Sequence, residues 1–242
     1  MDNGLEGKCV VVTGGGSGLG AALCHALAGA GAAVVAADVR EDAADRIATS
    51  VRGAGGQCVA TRLDVGDAAA GAAALEQVVA QFGRLDVLIN NAGTDLTLPV
   101  EELQVSDWHR VLATNLTGPF LLSRQALRYM KPRRAGHIVN VASTAAKRAW
   151  PNASAYHASK WGLLGLSQAL HAELRPHGIK VTSVIAGGMR TPFLLERFPD
   201  IDVGTLQDPA DVAAAIKAVL LLPAGTVVPE IMVLPMRETS WP

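Results

Sequence analysis

Tyr156 and Lys160 stand at i and i+4 in the segment Tyr156-His157-Ala158-Ser159-Lys160, so on a helix they share one face. That pairing can move protons. A free phenol titrates at about 10, too high for exchange at neutral pH, and a neighbouring ammonium favours the phenolate and lowers the value. Tyr156 would then act as a general acid and base. Ser143, at the end of the preceding apolar run, can donate a hydrogen bond to a substrate oxygen. A carbonyl under reduction gathers negative charge there, and a preorganised donor lowers the barrier. Asn115 lies among apolar neighbours in a helical stretch, where an amide needs partners, so it is either a satisfied structural group or part of a site. Taken alone, a Tyr–Lys pair at this spacing is usually the edge of an amphipathic helix. The frame around these residues decides between the two readings.

That frame starts with an apolar run at residues 8–13, which stops in the turn Gly14-Gly15-Gly16-Ser17-Gly18-Leu19-Gly20 before a helical pattern of Leu19, Leu23, Ala26, Leu27 and Ala30. Strand, glycine turn and helix in this order make an anion cradle. Glycine lets backbone amides approach a pyrophosphate, and the helix N-terminus points its dipole at the same charge. Two registers fit, one through Gly16, Gly18 and Ala21, the other through Thr13, Gly14, Gly18 and Gly20. Asp38 ends a second apolar run and stands where a dinucleotide-binding unit places its ribose-binding acid, although an ordinary helix cap reads equally well. Further strands are expected at 57–63, 87–89, 136–142, 179–185 and 231–234. Helices are expected at about 40–54, 67–82, 105–130 with a kink at Gly118-Pro119, 154–175 and 209–222. Alternating strands and helices imply an α/β fold, a parallel sheet covered on both faces with right-handed crossovers. Ligands bind such sheets at the carboxyl ends of the strands. Gly14 to Gly20, Asp38, Asp64, Asn90 to Gly93, Ser143 and 187–191 all fall there.

Bulk properties narrow the function classes. No repeat, low-complexity tract or linker divides the 242 residues, so 1–242 is expected to be a single domain. Half the residues are hydrophobic but only 4% aromatic, which suits close helix-on-sheet packing by small aliphatic side chains. A formal net charge of -1 and no basic run longer than Arg133-Arg134 argue against nucleic acid as a partner. Cys9, Cys24 and Cys58 are odd in number, far apart and in apolar settings, as expected of reduced thiols in a cytoplasmic protein; no metal is expected. The first residues lack a signal-peptide pattern, and no apolar run reaches the length of about 18 residues needed for a membrane span.

Thr13-Gly14-x-x-x-Gly18-x-Gly20, Asn90-Asn91-Ala92-Gly93, Asn115, Ser143 and Tyr156-x-x-x-Lys160 resemble, in order, the pattern of short, single-domain members of the short-chain dehydrogenase/reductase family. The resemblance covers nearly the whole chain. It implies a doubly wound, mostly parallel seven-stranded sheet of order 3-2-1-4-5-6-7. It also implies an oxidoreductase that interconverts a secondary alcohol and a ketone by hydride transfer, with Tyr156 as acid/base and Ser143 holding the substrate oxygen. Lys160 would tune the tyrosine and bind the nicotinamide ribose, and Asn115 would hold a water linking Lys160 to solvent. Gly14, Ser17, Gly18, Leu19 and Gly20 would cradle the cofactor. Asp64 and Val65 would flank the adenine, the turn Asn91, Ala92 and Gly93 would lie along the adenosine side, and Thr191 would meet the carboxamide. Asp38 would accept hydrogen bonds from the ribose hydroxyls of NAD and repel the 2′-phosphate of NADP, so NAD is the expected cofactor. Family members commonly form homodimers or homotetramers through the helices after strands four and five, and an oligomer is expected here.

Some features depart from the family pattern. Ala186-Gly187 stands where many members have Pro-Gly, which predicts a less rigid loop beside the nicotinamide. Residues 193–207 leave little chain for a substrate lid. Residues 229–242, with Trp241, read as an extended tail that packs on something. His157, Trp150, Lys147 and Arg148 are near the Tyr156 helix, and the sequence assigns them no role. A dinucleotide-binding scaffold without chemistry is the alternative, but it would not need Asn115, Ser143, Tyr156 and Lys160 together. A nucleotide-sugar epimerase of the longer branch is disfavoured by glycine spacing and chain length.

Overall fold

Valine and alanine decide the architecture: the first two strands read CVVVT and AVVAAD, nearly all buried, with small or β-branched side chains on both faces. Such strands require cover on both sides. The computed structural model describes residues 4–237. It contains seven strands, β1 (Cys9–Thr13), β2 (Ala33–Asp38), β3 (Gln57–Arg62), β4 (Val87–Asn90), β5 (Gly136–Val141), β6 (Ile179–Ala186) and β7 (Glu230–Val233). They form one sheet of order β3-β2-β1-β4-β5-β6-β7, with every neighbouring pair parallel. This is the doubly wound arrangement expected from the motifs.

Among the described residues eight α-helices accompany the sheet: α1 (Gly18–Ala28), α2 (Glu41–Gly53), α3 (Ala68–Phe82), α4 (Val105–Leu112), α5 (Gly118–Arg133), α6 (Ser154–Leu174), α7 (Pro192–Leu195) and α8 (Pro209–Leu220). Leu23 and Leu27 of α1, Val51 of α2 and Ile216 of α8 cover one face, in a cluster with Val10, Val12 and Val34. Leu75 of α3, Leu122 and Met130 of α5, and Leu174 of α6 cover the other, with Val11, Val35 and Ile138. Successive side chains of β1 thus serve opposite layers, as the period of two requires.

The long helix expected over 105–130 is not one helix. α4 passes through a π-helical turn, Ala113–Thr117, before α5 begins at Gly118. The break lies upstream of Pro119, which sits in the first turn of α5, where its missing N–H costs nothing. A π turn carries an extra residue and redirects one side chain; here it contains Asn115, fully buried. Gly118 has its own reason, since a Cβ there would lie 2.9 Å from the Val65 carbonyl oxygen.

At the amino-terminal edge of the sheet, Asp86 fastens three elements. Its Oδ2 accepts the Cys9 N–H at 2.9 Å and Arg84 Nε at 2.6 Å, and its Oδ1 accepts Arg84 Nη2 at 2.7 Å and Arg133 Nη2 at 2.8 Å. Burial alone would raise this carboxyl, but those donors outweigh it and hold the group below its ordinary range. Cys9, Cys24 and Cys58 are buried free thiols.

Candidate active site

A cavity of about 900 Å³ opens at the carboxyl ends of the strands, and every residue the sequence nominated for cofactor or catalysis lines it except Gly20 and Asn115. Those two act from behind the wall. Gly20 faces back onto the start of the glycine turn: a Cβ there would collide with the Gly14 carbonyl oxygen. Gly14 and Gly18 have positive φ, 64° and 51°, and a Cβ on Gly15 or Gly16 would also lie under 3 Å from its neighbours, so glycine is required along most of the turn. The glycines also allow close approach within the protein. A Cβ on Gly14 would lie 2.9 Å from Ala92 Cα, one on Gly16 2.9 Å from the Asp38 carboxylate, and one on Gly18 3.1 Å from Thr191 Cγ2. Three segments therefore converge on this turn.

Thr13 makes the convergence rigid. Its hydroxyl accepts the Asn91 and Ala92 N–H groups, both at 3.0 Å, and donates to the Ile89 carbonyl at 3.2 Å. Asn91 Nδ2 returns hydrogen bonds to the carbonyls of Thr13 at 2.9 Å and Gly14 at 3.3 Å. Asp38 closes the other side, its carboxylate accepting the N–H groups of Gly16 and Arg40, each at 3.0 Å. The side chain of Arg40 points to solvent, 63% exposed, with Nε 3.9 Å from Asp38 Oδ1. Ser17 precedes α1 in extended conformation and makes no side-chain cap, and Leu19 is buried beneath the turn. Asp64 accepts the Gly66 N–H at 2.9 Å beside buried Val65, and Thr191 is buried at the start of α7. Backbone amides at a helix N-terminus, with a carboxylate at the end of β2, fit the pyrophosphate and adenosine ribose of a nicotinamide dinucleotide.

Across the strand ends stand the other four residues. Ser143 follows two residues after the end of β5 and accepts the Ala145 N–H at 3.1 Å. Its hydroxyl also hydrogen-bonds the Tyr156 phenol and pulls that group down, while burial pushes it up more strongly, to about 12; Asp95 adds to the rise and Arg197 opposes it. Lys160 Nζ donates to the Val141 carbonyl at 2.9 Å and lies over the Tyr156 ring, 5.6 Å from its centre. Burial pushes this ammonium down to about 8, with Asp95 opposing. On balance the phenol stands above its ordinary value and the ammonium below its own, because both groups are buried and desolvation disfavours both charged forms.

Asn115 is where the π turn shows its purpose. Its Oδ1 accepts the Thr94 N–H at 2.8 Å, and its Nδ2 donates to the Thr94 carbonyl at 2.8 Å and the Ser159 hydroxyl at 3.0 Å. The amide thus ties the turn after β4 to the Tyr156 helix, whose Ser159 hydroxyl bonds the Tyr156 carbonyl at 2.7 Å. Gly93 lies between: a Cβ there would be 3.6 Å from Asn115 Oδ1 and 3.9 Å from Lys160 Nζ.

Several sequence expectations change at the rim. Residues 193–207, short as they are, supply Phe193, Leu194, Arg197, Phe198 and Ile201 to the cavity wall. The Ala186-Gly187 loop is braced rather than loose: Gly187 N–H donates to the Val233 carbonyl at 2.9 Å, and Gln207 bridges from the Gly188 carbonyl (3.1 Å) to the Val233 carbonyl (3.1 Å). Within 229–242, Glu230–Val233 is β7; residues 238–242, Trp241 included, lie outside the described residues. His157 is structural, with Nε2 accepting the Trp150 N–H at 3.1 Å and Nδ1 donating to the Ala145 carbonyl at 2.9 Å. Lys147 pairs with Glu230 at 2.8 Å, and Trp150 reaches the cavity. Sequence reasoning missed Asp95 and Arg197, which meet in the cavity wall from 102 residues apart. Only a charged residue just past the Asn90–Gly93 turn hinted at the first, and nothing at the second.

Comparison with known proteins settles the family. A model described as short chain dehydrogenase matches residues 8–202. The chain belongs to the short-chain dehydrogenase/reductase family. Among its relatives, the D-threitol dehydrogenase of Mycolicibacterium smegmatis is 41% identical over 184 residues, 76% of this chain and 71% of that one. The cis-4-hydroxycyclohexanecarboxylate dehydrogenase of Sinomonas cyclohexanicum is 38% identical over 225 residues, 89% of this chain and 90% of the relative. A metagenomic short-chain oxidoreductase solved with NADP superposes with a TM-score of 0.86 at 31% identity, covering 96% of this chain and 99% of that one. A dehydrogenase/reductase from Sinorhizobium meliloti 1021 gives 0.85 at 34% identity, covering 96% and 95%. This family binds a nicotinamide dinucleotide and acts on small molecules. No helix among the described residues is long and apolar enough to cross a membrane.

Proposed function

We propose that this chain is an NAD(H)-dependent oxidoreductase that interconverts a secondary alcohol and a ketone. The observation that carries this reading is the meeting of Ser143, Tyr156 and Lys160 at the end of β5, across one cavity from the glycine turn. A nicotinamide dinucleotide held by the glycine turn and Asp38 would supply the hydride transfer. Tyr156 gives its phenolic proton to the substrate oxygen in reduction and takes it back in oxidation, while Ser143 steadies that oxygen by a hydrogen bond. Lys160 supplies positive charge beside the phenol and a donor for the cofactor ribose. Asn115 holds the Thr94 backbone and Ser159 next to Lys160, where it can order a water on the path to solvent.

NAD is favoured over NADP because both Asp38 oxygens are held by backbone N–H groups at the mouth of the adenosine side, where a 2′-phosphate would meet fixed negative charge. The NADP complex of a relative and the exposed Arg40 beside Asp38 support the opposite preference, so the cofactors are to be compared directly. Names of relatives support an alcohol substrate, a polyol in one case and a ring hydroxyl in the other. We further propose a single-domain cytoplasmic protein that pairs as a homodimer or homotetramer. Phe120 on α5 and Trp161 on α6 stand 45% and 52% exposed, on the helices following β4 and β5. The direct test is NADH absorbance over a panel of alcohols and ketones, with NAD and NADP in parallel. Turnover of secondary alcohols that vanishes in Tyr156→Phe supports the reading, and no turnover of any member overturns it.

A further inference from the structure

Asp95 is a carboxylate beside a reaction that has no need of one. It follows the turn after β4, lines the cavity and is only 9% exposed. It faces Arg197, whose guanidinium lies over the Phe193 ring, and that ring is 6.1 Å from the ring of Tyr156, which places Asp95 on the reacting side of the cavity; its charge raises both the Tyr156 phenol and the Lys160 ammonium. Burial pushes its carboxyl up, and Arg197, the Leu96 N–H and the Thr97 hydroxyl pull back. Oδ1 accepts the Leu96 N–H at 2.7 Å. Oδ2 faces Arg197 Nε at 3.8 Å, an ion pair too long to be a hydrogen bond. A carboxylate offers about four acceptor positions, so Asp95 retains capacity.

Arg197 is committed elsewhere. Its Nη2 donates to the Asp95 carbonyl at 2.8 Å and its Nη1 to the Phe193 carbonyl at 3.0 Å, and its guanidinium lies over the Phe193 ring, 4.5 Å from the centre. The pair is neutral as a whole, and Phe193, Leu194, Phe198 and Ile201 make the wall beyond it apolar; of the cavity's other cations, Arg110 is ion-paired to Asp107 at 3.0 Å, and Arg237 lines the cavity with Thr205 and Leu206. Such a receptor does not call for an anionic substrate. It calls for a neutral group with a proton to share.

We propose that Asp95 selects substrates carrying a second hydroxyl near the reacting carbinol, the carboxylate accepting a hydrogen bond from that hydroxyl while Arg197 holds the carboxylate in place. Asp95 is thus a specificity residue, and the proposal rests on the alcohol–ketone reading above. A neutral donor bonded to a buried carboxylate gains about ten- to hundredfold in binding over the analogue that lacks it.

The test compares matched probes with NAD: cyclohexanol against cis-1,2-cyclohexanediol, and 2-butanol against 2,3-butanediol, in wild type, Asp95→Asn and Asp95→Ser. NADH affinity, read by fluorescence, checks that each variant keeps its cofactor site. The expected result is a diol advantage of about tenfold or more in kcat/KM for wild type. In both variants this advantage falls, through a higher KM for the diols, and the effect of the lost charge on kcat is common to both probe classes and cancels in their ratio. A wild type that uses mono-alcohols as well as diols overturns the proposal and leaves the reaction intact. So does a diol advantage that survives both variants, or a loss shared equally by both probe classes. A wild type that binds NADH but oxidises neither class overturns the reaction reading, and the proposal with it.

Discussion

Lys160 holds its ammonium over the ring of Tyr156, 5.6 Å from the centroid, and spends a hydrogen bond on the Val141 carbonyl of β5. The lysine therefore belongs as much to the strand end as to the phenol. Desolvation governs both groups, with the phenol pushed up to about 12 and the ammonium down to about 8.

That ordering fixes the direction of the pH dependence. Oxidation needs the phenolate as proton acceptor, and its population grows with pH everywhere below the phenol's own value. Oxidative kcat/KM should rise between about pH 7 and 9, and reductive kcat/KM should not rise with it. Profiles in both directions check this; an oxidative rate that falls over that interval refutes it.

Tyr156→Phe removes the proton donor and little volume. Turnover should drop by about 10²- to 10⁴-fold, while NADH affinity changes little, because the glycine turn and Asp38 are untouched. Fluorescence titration beside the rate assay separates the two effects.

Asp38→Ala takes away the carboxylate that accepts the Gly16 and Arg40 N–H groups. The ratio of kcat/KM for NAD to that for NADP should fall by about tenfold or more, as an acceptor is lost and a repulsion removed. An unchanged ratio would mean that Asp38 does not read the ribose.

Thr13→Val replaces a hydroxyl with a methyl of similar size and takes away the acceptor of the Ala92 N–H, while the Asn91 N–H keeps the Ile89 carbonyl at 3.1 Å. The cost should be about 1–3 kcal/mol of stability for the one group left unsatisfied. Chemical denaturation measures that loss, and KM for NAD should rise in the same variant as the turn after β4 loosens.

His137 makes the protein acid-sensitive well above the carboxylate range. Burial, aided by Lys180, pushes this imidazole down to about 3, and its Nε2 lies 2.8 Å from the Thr182 hydroxyl. The unfolded chain takes up a proton below about pH 6.5 that the folded one refuses until about pH 3. Stability contributed above that window is lost as pH falls through it, at up to about 1.4 kcal/mol per pH unit. His137→Gln should flatten this slope between about pH 6.5 and 5, as measured by urea titrations at each pH.

The sheet order and the two halves of the site were legible because each motif is local: glycines at a strand end, an amide turn, a tyrosine and lysine on one helix face. What escaped depends on distance or on competing terms. The π turn at Ala113–Thr117 has no residue signature beyond Asn115 itself, which earns its place through Thr94 and Ser159. Pro119 marked the region but not the break. The titration of Tyr156 needed burial, which spacing cannot report, and Asp95 and Arg197 needed the fold to bring them together.

The Asp86 fastening lies at one end of the strands and the reacting groups at the other. Changes at sites that share no partners add independently, so the rim loops can be rewritten for new substrates while the far edge continues to hold β1, β4 and α5 together. The arrangement makes the scaffold evolvable: its tolerance for novelty is stored where no substrate goes.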